Sequence, residues 1–170
     1  MRKALLVAAA LGLAAAGCRR QLPRLGAAPS FGQGDLAGGP WIADFIYTSC
    51  PGPCPVLTAN MARLQRALPA RVRLVSFTVD PERDTARVLA DYGNRFGADP
   101  SRWRFVRLGP AELSRVMEDG FKLAIGRSGA IVHSTKLVLV DAQGAIRGYY
   151  DGEDEAALKR LEGDAADLAR

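Results

Sequence analysis

The stretch Trp41 to Pro55, WIADFIYTSCPGPCP, decides how this chain is read. Trp41 to Tyr47 is an apolar run rich in aromatic and β-branched side chains, the composition of a buried strand. Thr48-Ser49-Cys50-Pro51-Gly52 then supplies turn formers. Beyond Pro55, Leu57, Met61, Leu64 and Leu68 recur at steps of four, three and four, the apolar stripe of a helix. Pro55 suits the first helical turn, where its missing N–H forfeits no bond, and Pro69 closes the helix. A strand therefore hands over to a helix at a loop bearing Cys50 and Cys54. A helix start offers unpaired N–H groups and a partial positive charge, both of which favour thiolate over thiol. The spacing lets the two sulfurs bridge each other or share one metal ion, and the intervening prolines stiffen the loop. A purely structural disulfide is the bland alternative, although so small a loop gains the least stabilisation from closure.

Working outward, Val72 to Val79 (VRLVSFTV) is a second strand ended by Asp80-Pro81. Asp84 or Thr85 caps a helix carrying Val88, Leu89, Tyr92 and Phe96, with Gly97 at its end; Asp84 is the favoured cap and Asp80-Pro81 a turn. Trp103 to Leu108 is a third strand, and Leu113, Val116 and Met117 mark a short helix stopped at Gly120. Thr135 to Val140 and Ala145 to Tyr150 form a hairpin across Asp141-Ala-Gln-Gly144, and a last helix runs from Glu153. Alternating strands and helices followed by a hairpin predict an α/β fold, a mixed central sheet with helices on both faces. A thioredoxin-like three-layer sandwich is the expected architecture.

With 170 residues the chain suits one domain. Its formal charge of +5 comes from scattered arginines, two of the charges (Arg2 and Lys3) lying in a segment expected to be removed. Nucleic-acid binding needs a concentrated basic stripe, so no nucleic-acid partner is expected. Met1-Arg2-Lys3 followed by the apolar run Ala4 to Ala16 reads as a signal peptide, too short to span a membrane well. Ala15-Ala16-Gly17-Cys18 resembles a bacterial lipobox, in which cleavage precedes an acylated cysteine, although Ala15 stands where Leu is usual. Three acyl chains on Cys18 would hold firmly, since each buried CH₂ contributes about 0.8 kcal/mol. An ordinary secretory peptide with Cys18 as bystander is the alternative; either way the mature domain is exported. The expected organisation is residues 1–17 as signal, 18–28 as an Arg/Pro/Gly/Ala-rich tether and 29–170 as the domain.

His133, the single histidine, lies in Ala130-Ile-Val-His133-Ser-Thr, a loop entering the strand from Thr135. In a thioredoxin-like sheet that loop runs beside the cysteine turn. Two soft thiolates and one imidazole suit copper. Structural zinc normally takes four ligands and is disfavoured, though a carboxylate remains an option for the fourth. Asp44 sits six positions before Cys50, the offset at which thioredoxins place a buried proton-handling Asp. Buried, it would have a raised pKa; on a solvated face it would be a bystander, and alternation leaves both open.

YTSCPGPCP, SFTVDPERDT, IVHSTKLVLVD and GYYDG together resemble the Sco/SenC family in order and spacing, over about Trp41 to Gly152. The resemblance implies a membrane-tethered thioredoxin-like protein that binds Cu(I) or Cu(II), one per chain, and helps build the dinuclear copper site of cytochrome c oxidase subunit II. It maps the family's copper ligands onto Cys50, Cys54 and His133, and gives the DPERDT segment no ligand role. The segment 29–40 is shorter than the family's usual hairpin and holds Gly39-Pro40 where a Gly-Lys pair is usual. Two functions use the same cysteines: a metallochaperone, or an oxidoreductase that takes electrons from a thiol–disulfide reductant to reduce the target's cysteines. The three-residue spacing and the motif-embedded histidine favour the chaperone, with a redox or copper sensor as a third reading.

Overall fold

The computed structural model describes residues 21–29, 36, 38–123 and 134–170. Strands β1 (Gly26–Ala27), β2 (Trp41–Ile46), β3 (Arg73–Thr78), β4 (Trp103–Val106), β5 (Lys136–Val140) and β6 (Ala145–Asp151) form one sheet in the order β1-β6-β5-β2-β3-β4. β2, β3 and β4 are parallel, while β5, β6 and β1 join antiparallel, which makes the sheet mixed. The helices are α1 (Cys54–Ala67), α2 (Ala86–Arg95), α3 (Pro110–Ser114) and α4 (Glu155–Leu168).

Alternation along the strands splits the core in two. Ile42, Leu74, Leu137, Leu139 and Trp103 point to one face, where Met61 and Leu64 of α1 and Leu158 and Leu161 of α4 cover them. Trp41, Ala43, Phe45, Val75, Phe77 and Val138 point to the other, against Leu113, Val116, Met117 and Phe121. This is the three-layer, thioredoxin-like arrangement the element order implies. α2 packs on the first face beside β4, close enough that a Cβ at Gly93 would sit 2.7 Å from the Phe105 ring.

Local chemistry explains most boundaries. Thr85 caps α2, its side chain accepting from the Val88 N–H at 3.3 Å, and Gly144 closes the β5–β6 turn at φ +78°. Asp84, the favoured cap from the sequence, is displaced from that role by burial, at 1 % exposure. The helix expected to stop at Gly120 is regular only to Ser114 and continues as a π-helical turn over Arg115–Gly120. Its wider step seats Val116, Met117 and Phe121 together in the second core, each buried.

The described part of the expected tether is not free of the domain. Leu22 is buried in the first core, Gly26–Ala27 pairs with β6, and the Arg147 guanidinium donates to the Leu22 and Pro23 carbonyls at 2.5 and 2.9 Å. Most of the expected short hairpin of 29–40, the signal segment and Cys18 lie outside the described residues. Among the described residues no helix is long and apolar enough to cross a membrane.

Candidate metal and thiol centre

β2 ends at Ile46 and α1 begins at Cys54, so both cysteines sit at the C-terminal edge of the parallel strands, where α/β sheets place their sites. Both thiols are buried, Cys50 at 7 % and Cys54 at 1 % exposure. Among the described residues no side chain caps α1, and the Cys54 N–H is left for the Cys50 sulfur. Burial alone would raise the Cys50 thiol. The Cys54 N–H and thiol, the Gly52 N–H and the Tyr47 hydroxyl all donate toward its sulfur, and the net direction is downward. Cys54 goes the other way. Burial pushes it up to about 12, opposed by the Tyr47 N–H and reinforced by Cys50 and the charge of Asp44. The pair is asymmetric: the Cys50 sulfur is shifted toward thiolate, while Cys54 is held as thiol.

Asp44 is fully buried, so the solvated-face reading fails. The reason is that all six residues of β2 are buried, both faces of this central strand being covered. Burial raises the Asp44 carboxyl to about 7. The Ser76 hydroxyl beside it offsets part of the shift without a hydrogen bond of normal geometry to either carboxylate oxygen, and itself accepts from Trp103 Nε1 at 2.9 Å. An acid whose two buried oxygens find no partner among the described residues is kept neutral more cheaply than charged.

Three supporting residues escape a reading of the sequence. Tyr47 reaches Cys50 with its hydroxyl, and its own pKa is pushed up to about 12, by burial first and then by that hydrogen bond. Asp84 accepts from the Thr48 N–H at 3.1 Å and from the Thr48 and Thr78 hydroxyls at 2.5 Å each, tying the loop before Cys50 to the end of β3. Thr58 bonds the Cys54 carbonyl and the Tyr92 hydroxyl, both at 2.8 Å, fixing the first turn of α1. Only Tyr47 carries a hint in sequence, a polar-tipped aromatic three positions before Cys50. Asp80 forms the expected turn, its carbonyl accepting from Asp84 at 2.9 Å and its carboxylate pairing with Arg83 at 2.8 Å.

His133 lies outside the described residues. Among the described residues no three Cys, His, Asp or Glu side chains converge as a metal group. What the described site provides is two convergent thiols, a donor pair that fits a soft monovalent ion.

A thioredoxin-like domain with a Cys-X3-Cys loop at the strand-to-helix junction defines the class. The SCO1/SenC family model matches residues 27–162, and the chain belongs to that family. A SCO1/SenC family lipoprotein from Bacillus anthracis superposes with a TM-score of 0.73 at 32% identity, covering 82% of this chain and 87% of that one. BsSco, described with a disulfide switch and as a member of the Sco family of cytochrome c oxidase assembly proteins, gives 0.68 at 29%, covering 78% and 81%. Bradyrhizobium japonicum ScoI with copper bound gives 0.59 at 25%, covering 75% and 86%. The SCO1 protein homolog of Bacillus subtilis is 32% identical over 124 residues, 69% of this chain; the chain spans 64% of that relative, somewhat under two thirds of its length.

Proposed function

We propose that this protein is an exported copper chaperone, acylated at Cys18, that carries one copper ion on Cys50, Cys54 and His133 and delivers it to the dinuclear copper site of cytochrome c oxidase subunit II. The observation that carries this reading is the pair of buried, mutually hydrogen-bonded thiols at one loop, with Cys50 biased toward thiolate. Family membership and a copper-bound relative support it. Copper is the cargo here. Thiolate donors favour Cu(I), and an imidazole from the loop before β5 would complete a site that a partner's own thiols can enter for exchange. Loading would displace the Cys54 proton, and Asp44, buried on the strand leading to the loop, is in the carboxylate form able to take it only above its pKa of about 7. A test is to mix copper-loaded protein with the reduced soluble domain of subunit II. Copper should appear in the target with a stoichiometric loss from the donor.

The second reading, thiol–disulfide exchange, is favoured by the opposite biases of the two cysteines. The Cys50 thiolate would attack one sulfur of a target disulfide and expel the other as thiolate. Cys54, deprotonated toward Asp44, would then attack the Cys50 sulfur and release the second target thiolate. The target gains two electrons, and the Cys50–Cys54 disulfide formed is reduced again by a dithiol donor. A redox or copper sensor would use the same disulfide step. Reduction of insulin that survives His133→Ala and is lost in Cys50→Ser would favour this reading over the chaperone.

A further inference from the structure

We propose that the end of the sheet formed by β1 and the Asp141–Gly144 turn rests on an anionic lipid surface, with Arg24 and Leu25 at the contact and the Cys50/Cys54 loop held at the far end, facing away from the bilayer. This rests on the reading of Cys18 as the acylated anchor. Leu22 is already part of the domain, buried in the core with its carbonyl held by Arg147. Only Arg19, Arg20 and Gln21 separate it from Cys18. Four residue steps reach at most about 14 Å even when fully extended. That length cannot lift the domain clear of the membrane, so the surface nearest Leu22 lies against lipid.

That surface has the right chemistry. Arg24 lies beside Gly26, Ala27, Gln143, Gly144 and Ala145 around a shallow pocket on the turn. Leu25, next to it, is 51 % exposed, the most exposed large apolar side chain among the described residues. Between Cys18 and Gly34 the chain has Arg19, Arg20 and Arg24 and no Asp or Glu. The acid on the turn, Asp141, is engaged by Arg147 at 2.8 Å and by the Gln143 and Ala145 N–H groups, so it opposes this charge little. A basic segment with an apolar side chain beside a lipid anchor is suited to anionic headgroups.

Strand register sets the orientation. Gly26 pairs with Ile146, Ile146 with Val140, and Val140 with Trp41, so this end of the sheet is level with the start of β2. Cys50 follows the other end of β2, whose six residues span roughly 20 Å. The anchor end and the thiol end are therefore opposite poles of the domain.

The test uses the full mature chain in vesicles of phosphatidylcholine and phosphatidylglycerol with brominated acyl chains. Leu25→Trp and, as a second reporter, Gln143→Trp are compared with Val56→Trp, an exposed position two residues after Cys54. The resident Trp41 and Trp103 are buried and give the same background in all three. Bromolipid quenching several-fold stronger at positions 25 and 143 than at 56, and weakened by Arg24→Glu, supports the proposal. Equal or absent quenching, with the mature mass confirming acyl chains on Cys18, overturns it and leaves the anchor standing. A mature mass without acyl chains removes the anchor reading, and the proposal falls with it.

Discussion

Asp84 holds Thr48 by both its backbone N–H and its hydroxyl, across 36 residues of sequence. With Thr78 as a third donor, one carboxylate fixes where β2 releases the chain toward Cys50. Hydrogen bonds to a buried charged group contribute about 1.5–3 kcal/mol each, and a lost acceptor leaves its donors unpaired. Asp84→Ala should therefore destabilise the domain by about 3 kcal/mol in urea titration. Copper affinity should fall as well, because the Cys50 loop loses its tie. Asp84→Asn, which keeps one oxygen acceptor, should cost less.

Asp44 predicts an unusual pH profile. Its folded pKa, about 7, lies above its ordinary 3.8, so between those values the folded protein holds a proton that the unfolded chain has released. Stability should fall as pH rises through that window and level off above it. At about 1.36 kcal/mol per unit the full effect is on the order of 4 kcal/mol. Asp44→Asn should flatten the profile and be the more stable protein at pH 8. Denaturant midpoints between pH 4 and 8 check both statements.

Tyr47 donates to Cys50, so Tyr47→Phe should raise the Cys50 thiol pKa while leaving the ring packing in place. Thiolate absorbance against pH measures the shift, and alkylation of Cys50 at neutral pH should slow in step.

Gly152 is a steric requirement. A Cβ there would lie 2.4 Å from Leu57 Cδ2 and 2.9 Å from the Thr135 carbonyl, between β6 and α1. The leucine tip can yield but the backbone carbonyl cannot. Gly152→Ala should cost about 1–3 kcal/mol and lower the thermal midpoint.

Much of this was legible in the sequence, for physical reasons. α1 announced itself because its apolar side chains keep the helical step, and β2 because its run is bounded by turn formers. The cysteine pair was legible because its chemistry lies within five consecutive residues. Asp84 was not. Its cap-like position beside Thr85 pointed to a local role, whereas its partners are Thr48 and Thr78, brought to it by the parallel pairing of β2 and β3. Asp44 was ambiguous because alternation reports a face only when one face is wet, and β2 has none. β1 is two residues long, too short for any pattern, and Leu22 joins the core through Arg147, a contact 125 residues away.

The proposed copper site is made of Cys50, Cys54 and His133. The direct test is anaerobic titration of the reduced protein with Cu(I) against a chelating competitor, beside Cys50→Ser, Cys54→Ser and His133→Ala. The parent should hold one copper tightly per chain. Either cysteine variant should lose affinity by at least about a hundredfold, and His133→Ala by no less than the about ten- to hundredfold that loss of an outer-shell partner costs. Unchanged affinity in His133→Ala would contradict the three-ligand site, and unchanged affinity in Cys50→Ser would rule out copper binding by the cysteine pair.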